Sequence, residues 1–172
     1  DVFTPDEIFN LWRYGNARHY MILGNSQEYG DLIAADAINL MRQIIADADD
    51  AIANGGRSGF FRFGHDVIII PLICMLELEG CCPRLSVDDT ENLHKHWQDF
   101  NITSMAVNVQ MVFYRNKQGD VLVKLLHNEK EVRLPFESDL APYYRWEDFR
   151  RYYLDRIEKL SKVKAPEYLL KY

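Results

Sequence analysis

Two adjacent side chains, His65 and Asp66, are the best candidates for chemistry in this sequence. They follow a short aromatic run flanked by glycines, residues 60–63, which has the pattern of a buried strand. The apolar run after them, residues 67–76, is longer than an ordinary strand and ends in a polar stretch with Gly80, which favours a buried helix. We therefore expect the pair between a strand end and a helix start, where open α/β sheets bind their ligands.

A site of this kind suits an anion, because free backbone N–H groups and the helix dipole point towards it. There His65 can donate a hydrogen bond to a phosphate oxygen, and the Asp66 carboxyl group can give a proton to a leaving alkoxide. The same spacing also fits a plain helix cap beside a histidine with structural partners, which is the more frequent arrangement on spacing alone. The pair by itself leaves both interpretations open.

Helical patterns surround this pair. Thr4-Pro5-Asp6-Glu7 has the form of a capping box and predicts a short helix that runs to about Tyr14. Apolar residues three or four apart predict one long amphipathic helix over residues 31–48, before the break at Gly55-Gly56, and a C-terminal helix over residues 146–160. The stretches without periodicity are expected to form a polar loop and a trailing arm, residues 80–104 and 162–172.

Alternating apolar and polar residues predict a strand at residues 107–113. A turn at residues 116–119 brings back residues 121–126 as its partner, and a turn at Asn128 leads to a third strand, residues 132–134, so that an antiparallel meander is expected. Together with the helices this is an α/β pattern, but only residues 60–63 have the character of a parallel strand. A single parallel strand cannot satisfy the hydrogen bonds of its own edges. Further parallel strands must therefore lie outside this chain, or a partner must supply them.

Composition limits the class of protein and the class of partner. The chain has 172 residues, which suits one domain, and 48% hydrophobic with 27% charged residues is typical of a globular protein. Its formal net charge is −6, so we expect neither nucleic acid nor an anionic membrane as a partner. Three cysteines without paired CxxC motifs provide no zinc framework.

Two regions resemble a known family. Residues 61–72, Phe-Arg-Phe-Gly-His-Asp-Val-Ile-Ile-Ile-Pro-Leu, resemble the second signature of the histidine acid phosphatases, branch 2 of the histidine phosphatase superfamily. Residues 105–115, which begin Met-Ala-Val-Asn, are similar to the Met-Ala-x-Asn strand of the branch that contains multiple inositol-polyphosphate phosphatases, and so are residues 121–135. The resemblance covers about residues 1–155.

The resemblance implies a fold and an activity. The fold would be part of a three-layer α/β domain of the phosphoglycerate mutase-like kind, with residues 1–160 as its C-terminal half and residues 161–172 as an arm. The activity would be hydrolysis of phosphomonoesters through a phosphohistidine, with His65 binding the phosphate and Asp66 protonating the leaving group. The substrate would be a phosphorylated small molecule, with inositol polyphosphate (a phytase-like activity) as one candidate, and the setting periplasmic or secreted. No cofactor and no metal are implied.

One departure from the family is large. Its nucleophile lies in the motif Arg-His-Gly-x-Arg-x-Pro, which this sequence does not contain; Arg18-His19-Tyr20 and Arg57-Ser58-Gly59 do not match it. Without that histidine and its arginines the phosphohistidine cannot form, and the transferred group has no strong positive partner. We therefore expect the nucleophile from a missing N-terminal half of the same protein or from a partner chain, and we expect the isolated chain to be inactive.

Lesser candidates have a structural and a functional interpretation each. Arg62 either faces the phosphate or pairs with an acid. Asn108 either presents its amide to the site or is hydrogen-bonded within the sheet, which is the more frequent case. The set formed by His94, His96 and Asp99 has a spacing that can bind metal, although ordinary surface residues are more common in a polar loop.

Two other functions fit the same residues. The chain could be a phosphate-binding or interaction module that has kept the His-Asp pair without catalysis. A metal hydrolase built from His65, Asp66 and the loop histidines is the less favoured alternative, because it requires a bound metal.

Overall fold

The computed structural model describes residues 2–55 and 59–166. Within these residues the chain forms seven α-helices and four β-strands, which confirms a mixed α/β fold with an antiparallel sheet and flanking helices. The helices are α1 (Pro5–Leu23), α2 (Gly30–Asp36), α3 (Ile38–Asn54), α4 (Asp66–Leu76), α5 (Leu93–His96), α6 (Asp99–Ile102) and α7 (Trp146–Leu160). The strands are β1 (Val109–Arg115), β2 (Val121–His127), β3 (Lys130–Val132) and β4 (Tyr144–Arg145).

Helix α1 begins as the sequence predicts and runs further. The capping box is complete, since the Thr4 hydroxyl accepts from the Glu7 N–H at 3.3 Å and the Thr4 N–H donates to the Glu7 carboxylate at 2.7 Å. The helix continues past Tyr14 to Leu23, and its second half is fixed by tertiary contacts. Asn16 is fully buried there, and a buried polar residue breaks the apolar periodicity on which the prediction depended.

The predicted long helix is two helices. Helix α2 ends at Asp36, Ala37 makes a tight turn, and α3 continues from Ile38 to Asn54, where Gly55 ends it with a φ of 73°. Ala37 is buried, and α2 packs against α1, α4 and α7. Neither glycine nor proline stands at the turn and the apolar spacing runs through it, so the sequence pattern carries no sign of the break.

Helix α4 is the centre of the helical layer. Every residue from Ile70 to Leu76 is buried, and α1, α2 and α3 all pack against the helix. Its carboxyl end is held by α7, where the Arg156 guanidinium donates to the carbonyls of Cys74 and Met75 and the Tyr153 hydroxyl donates to the carbonyl of Leu76 at 2.7 Å. The last carbonyls of α4 therefore have partners from another element.

The sheet confirms the predicted meander. Strand β2 lies in the middle, with β1 along one side and both β3 and β4 along the other, and all pairings are antiparallel. Val123 and Leu125 of β2 are fully buried, and α7 packs against this strand. The third strand lies at Lys130–Val132, slightly earlier than the predicted residues 132–134, and β4 was not predicted.

The strand predicted at residues 60–63 is not formed, and that prediction was wrong. Residues 59–65 have neither helical nor strand structure, and Phe61 and Phe63 are 83% and 95% exposed. A strand is stable only beside another strand, and none pairs with this segment within the described residues. Aromatic residues between glycines indicate an extended conformation, but they carry no information on whether a second strand lies beside it.

The remaining predictions concern connections. The polar loop at residues 80–104 contains the short helices α5 and α6, and the described part of the arm, residues 161–166, is irregular after a turn. Residues 167–172, Gly56 and residues 57–58 lie outside the described residues. Among the helices described, none combines the length and the apolar character that crossing a membrane requires.

Candidate functional site

The His-Asp pair lies at the amino end of α4. His65 is the N-cap residue, with its backbone extended at φ −119° and ψ 175°, and its carbonyl accepts from the N–H groups of Ile68 and Ile69. Asp66 is the first residue of the helix, and its Oδ1 accepts from the Val67 N–H at 2.9 Å. Both residues of the pair are exposed. The prediction of a helix start holds, while the preceding strand is absent.

Asp66 has a partner from another helix. Its Oδ2 lies 3.1 Å from Nε2 of His19 on α1, and the other ring nitrogen, Nδ1, lies 3.5 Å from Oδ2 of Asp99 at the start of α6. The imidazole of His19 therefore stands between two carboxylates. These residues are 47 and 80 positions away from His19 in the sequence.

Asp99 is itself fixed in place. Its Oδ1 accepts from Nε1 of Trp12 at 3.2 Å and from the Phe100 N–H at 2.8 Å. Its own N–H donates to the side-chain oxygen of Asn16 at 2.8 Å, and the Asn16 amide donates to the Trp97 carbonyl. Helix α1 thus positions the site from one face. We call Trp12, His19, Asp66 and Asp99 the His19 network.

The His19 network opens to solvent on the Asp66 side. The Asp66 side chain is 46% exposed, against 23% for His19 and 25% for Asp99. Asp66 is therefore the member that an incoming molecule can reach, while His19 and Asp99 support it from behind. Chemically, the exposed end offers a carboxyl group, the neighbouring His65 imidazole and a helix amino terminus.

Arg62 and Asn108 have other partners. The Arg62 guanidinium pairs with the carboxylate of Asp47 on α3, so of its two interpretations the pairing with an acid is the one observed. The Asn108 amide donates to Glu129 Oε1 at 2.8 Å and to the Ala106 carbonyl, and its backbone pairs with Asn128 beyond the end of β1. Among the described contacts, neither Arg62 nor Asn108 touches the His-Asp pair.

The loop histidines do not meet Asp99. His94 packs edge-on against the rings of Phe9 and Trp12, and its buried Nδ1 has no hydrogen-bond partner in the described part of the chain. His96 is exposed. Over the residues that the structure describes, no group of three or more His, Cys, Asp or Glu side chains is arranged to hold a metal ion.

The cysteines are structural. The Cys81 sulfur lies 3.4 Å from Nδ1 of His127, whose Nε2 is 2.8 Å from the Ile102 carbonyl, so this buried histidine is paired on both sides. Burial raises the pKa of Cys81 to about 11 and that of Cys74 to about 12. Both thiols are neutral at pH 7 and are poor nucleophiles for that reason.

Two surface cavities lie elsewhere on the molecule. One, of about 170 Å³, lies between α1 and residues 90–91, where Arg13 and Tyr14 line it. The other, of about 340 Å³, is lined by residues 133–138 together with Glu77 and Glu79. Neither cavity is lined by His65 or Asp66.

Sequence reasoning missed His19 and misplaced Asp99. His19 lies in Arg18-His19-Tyr20, which does not match the nucleophile motif, and Asp99 lies in the set with metal-binding spacing. A usable signal was present on α1, where Trp12, Asn16 and His19 stand four and three residues apart and so share one helix face. Polar groups aligned in this way on a buried face indicate polar partners on the element packed against it.

No protein-family model matches this chain, and no match to it was found among curated proteins.

Proposed function

We propose that this chain carries the proton-donating part of a phosphomonoester hydrolase, and that the phosphate-accepting nucleophile comes from polypeptide outside the chain. The observation that supports this proposal is the exposed Asp66 carboxyl group at the amino end of α4, linked to the His19 ring and adjacent to His65. This geometry suits a group that must bind a phosphate ester and protonate its leaving oxygen.

The proposed reaction has two steps. A histidine nitrogen supplied from outside the chain attacks phosphorus, the bond to the leaving oxygen breaks, and the proton of Asp66 moves to that oxygen. Water then attacks the phosphohistidine, the bond between phosphorus and the histidine nitrogen breaks, the water's proton passes to the Asp66 carboxylate, and inorganic phosphate leaves. Throughout both steps His65 and the helix amino terminus stabilise the phosphoryl oxygens.

The exposed apolar residues near the His-Asp pair agree with a contribution from outside the chain. Phe61 and Phe63 are almost fully exposed, and Val67 and Ile68 in the first turn of α4 are each about half exposed. Large apolar side chains grouped in this way mark surfaces that bind other polypeptide or ligand. From the resemblance we further propose a phosphorylated small molecule as substrate, with inositol polyphosphate as the first to test, and a periplasmic or secreted setting.

The test is Asp66→Asn in the enzyme that contains this chain together with its nucleophile. We expect the turnover rate to fall by about 10²-fold or more, because general acid catalysis contributes that much, while phosphate still binds. The matched control is Asp155→Asn, the same exchange on the exposed side of α7. An Asp66→Asn enzyme that is as fast as the wild type would disprove the role of Asp66.

A second candidate is a phosphate-binding module without catalysis. It is favoured by one observation: within the described residues no arginine or lysine is hydrogen-bonded or ion-paired to His65 or Asp66, and Arg62 is engaged with Asp47. The described part of the chain therefore offers no side-chain cation at the pair to stabilise a phosphoryl group during transfer. Titration of the chain with inorganic phosphate, followed on the ring resonances of His65, separates the two candidates. Saturable binding without turnover in any context would favour the module.

A further inference from the structure

We propose that His19 is a positioning residue that holds the Asp66 carboxyl group and keeps a proton available to it, and that Asp99 orients His19 for this purpose. The inference rests on the proposed function of Asp66 as a proton donor. It assigns a role to a histidine on α1 that belongs to none of the motifs in the sequence.

The first argument is the geometry of the contacts. Both ring nitrogens of His19 face carboxylate oxygens, Nε2 at 3.1 Å from Asp66 and Nδ1 at 3.5 Å from Asp99. Asp99 cannot turn away easily, because Trp12 and the Phe100 N–H donate to its other oxygen. Asp99 therefore orients the His19 ring from the less exposed side of the His19 network, and Nε2 faces the exposed Asp66.

The second argument is a count of protons. A neutral imidazole has one N–H and one lone pair, so it can donate on one side only. With carboxylate oxygens on both sides, the neutral ring would direct its lone pair at one of them. Both contacts are attractive when one more proton is present, either on the ring or on Asp66, so the geometry accommodates the proton that an acid catalyst must carry.

The third argument concerns stability. A pair as exposed as Asp66 and His19 contributes little to folding, because water screens the charges. Two hydrogen bonds of Asn16, a buried one to Trp97 and a partly buried one from Asp99, already fasten α1 to Trp97 and to the start of α6. The attachment of α1 therefore does not rest on the ion pair of His19, and the edge-on packing of its ring against Trp97 at 6.1 Å can be kept by another aromatic side chain.

The transfer balances in protons. The single extra proton lies on Nε2 of His19 and moves to the Asp66 carboxylate, which passes it to the leaving oxygen, so that Asp66 is left as a carboxylate and His19 as a neutral ring that donates from Nδ1 to Asp99. When water later attacks the phosphohistidine, its proton restores the starting state through Asp66. No other co-reactant is needed.

The test compares leaving groups in the enzyme that contains this chain and its nucleophile. An alkyl phosphate such as glycerol 2-phosphate needs its leaving oxygen protonated, whereas p-nitrophenolate leaves without help. We expect His19→Phe to lower kcat for glycerol 2-phosphate by about 10-fold or more, and kcat for p-nitrophenyl phosphate by less than about 3-fold. His96→Phe on α5, which is exposed, is the matched control and should change neither rate.

The outcomes separate the inference from the function on which it rests. If Asp66→Asn slows glycerol 2-phosphate hydrolysis and His19→Phe does not, the role of His19 is wrong while that of Asp66 stands. Equal losses on both substrates in His19→Phe would mean a structural role and would also overturn the inference. If Asp66→Asn is as fast as the wild type on both substrates, the proposed function itself is wrong.

A second measurement needs no activity. In the 172-residue chain labelled with ¹⁵N, the ring signals of His19 should change in Asp66→Asn, most strongly at Nε2, and in Asp99→Asn most strongly at Nδ1. The His96 ring signals should stay the same in both variants. A His19 Nε2 signal that is unaffected by Asp66→Asn would overturn the inference even if turnover is lost.

Discussion

The contact between Asp66 and His19 and the buried ring of Tyr20 differ in how much each can contribute to stability. An exposed ion pair contributes about 0–1 kcal/mol to stability, whereas removing a buried aromatic side chain costs about 3–5 kcal/mol. The Asp66 side chain is nearly half exposed, while Tyr20, the residue after His19 on α1, is fully buried. Tyr20 therefore contributes far more to holding α1 in place than the contact between His19 and Asp66 does.

The buried thiol of Cys74 makes stability depend on alkaline pH. Burial raises its pKa from 9.0 to about 12, so the folded chain holds this proton more tightly than the unfolded chain does. The contribution of Cys74 is complete below pH 9 and is lost between pH 9 and pH 12, at roughly 1.4 kcal/mol per pH unit. Urea unfolding at pH 8, 9.5 and 10.5 should show the decline.

The variant Cys74→Ala is the check on this assignment. It removes the thiol, so its free energy of unfolding should fall less steeply above pH 9 than that of the wild type. Equal slopes in the two proteins would mean that other groups, such as Tyr20, cause the alkaline loss; burial raises the pKa of Tyr20 to about 12 as well.

At the scale of elements, the contact between α4 and α7 carries a testable hydrogen bond. The hydroxyl of Tyr153 is buried and donates to the carbonyl of Leu76, one of the last carbonyls of α4. Tyr153→Phe keeps the ring and leaves that carbonyl without a donor, so the free energy of unfolding should fall by about 1–3 kcal/mol. Chemical denaturation measures this difference.

Tyr114→Phe on β1 is the matched control for that experiment, because Tyr114 is 42% exposed. We expect a change within about 0.5 kcal/mol for this exposed position. If Tyr153→Phe costs no more than Tyr114→Phe, the α7 contact does not hold the end of α4.

The elements that the sequence predicts well are those whose signals are local. Thr4 and Glu7 mark the start of α1, and the alternation over residues 107–113 together with the turn at residues 116–119 predicts the hairpin of β1 and β2. The break at Ala37 and the second half of α1 have no local signal, because packing against other helices determines them. The prediction of a strand at residues 60–63 was wrong although its signal is local: the composition favours a strand, but a strand is stable only beside another strand.

The same limit applies to the site. The position of His65 and Asp66 at a helix start follows from the apolar run after them, and the structure confirms it. The contacts of Asp66 with His19, and of His19 with Asp99, bring together residues from separate helices. A single sequence gives no information on the distances between side chains of separate helices, so the His19 network could be found only from the fold.

At the scale of the molecule, the exposure of Phe61 and Phe63 distinguishes the observed surface from the buried strand that the sequence predicts. Phe63 is 95% exposed, so Phe63→Ser should change the free energy of unfolding by no more than about 0.5 kcal/mol and should reduce any self-association. Phe149→Ala, at a fully buried position on α7, should cost about 3–5 kcal/mol. A large loss in Phe63→Ser would mean that the segment is buried in solution.

The hold of α7 on α4 also has a consequence for biosynthesis. A ribosome delivers α4 long before α7, so the growing chain presents its most apolar helix while Arg156 and Tyr153 are still to be translated. Partly made chains that expose such segments aggregate readily. We expect a chaperone to bind this stretch of the nascent polypeptide and to release it once the final helix has emerged.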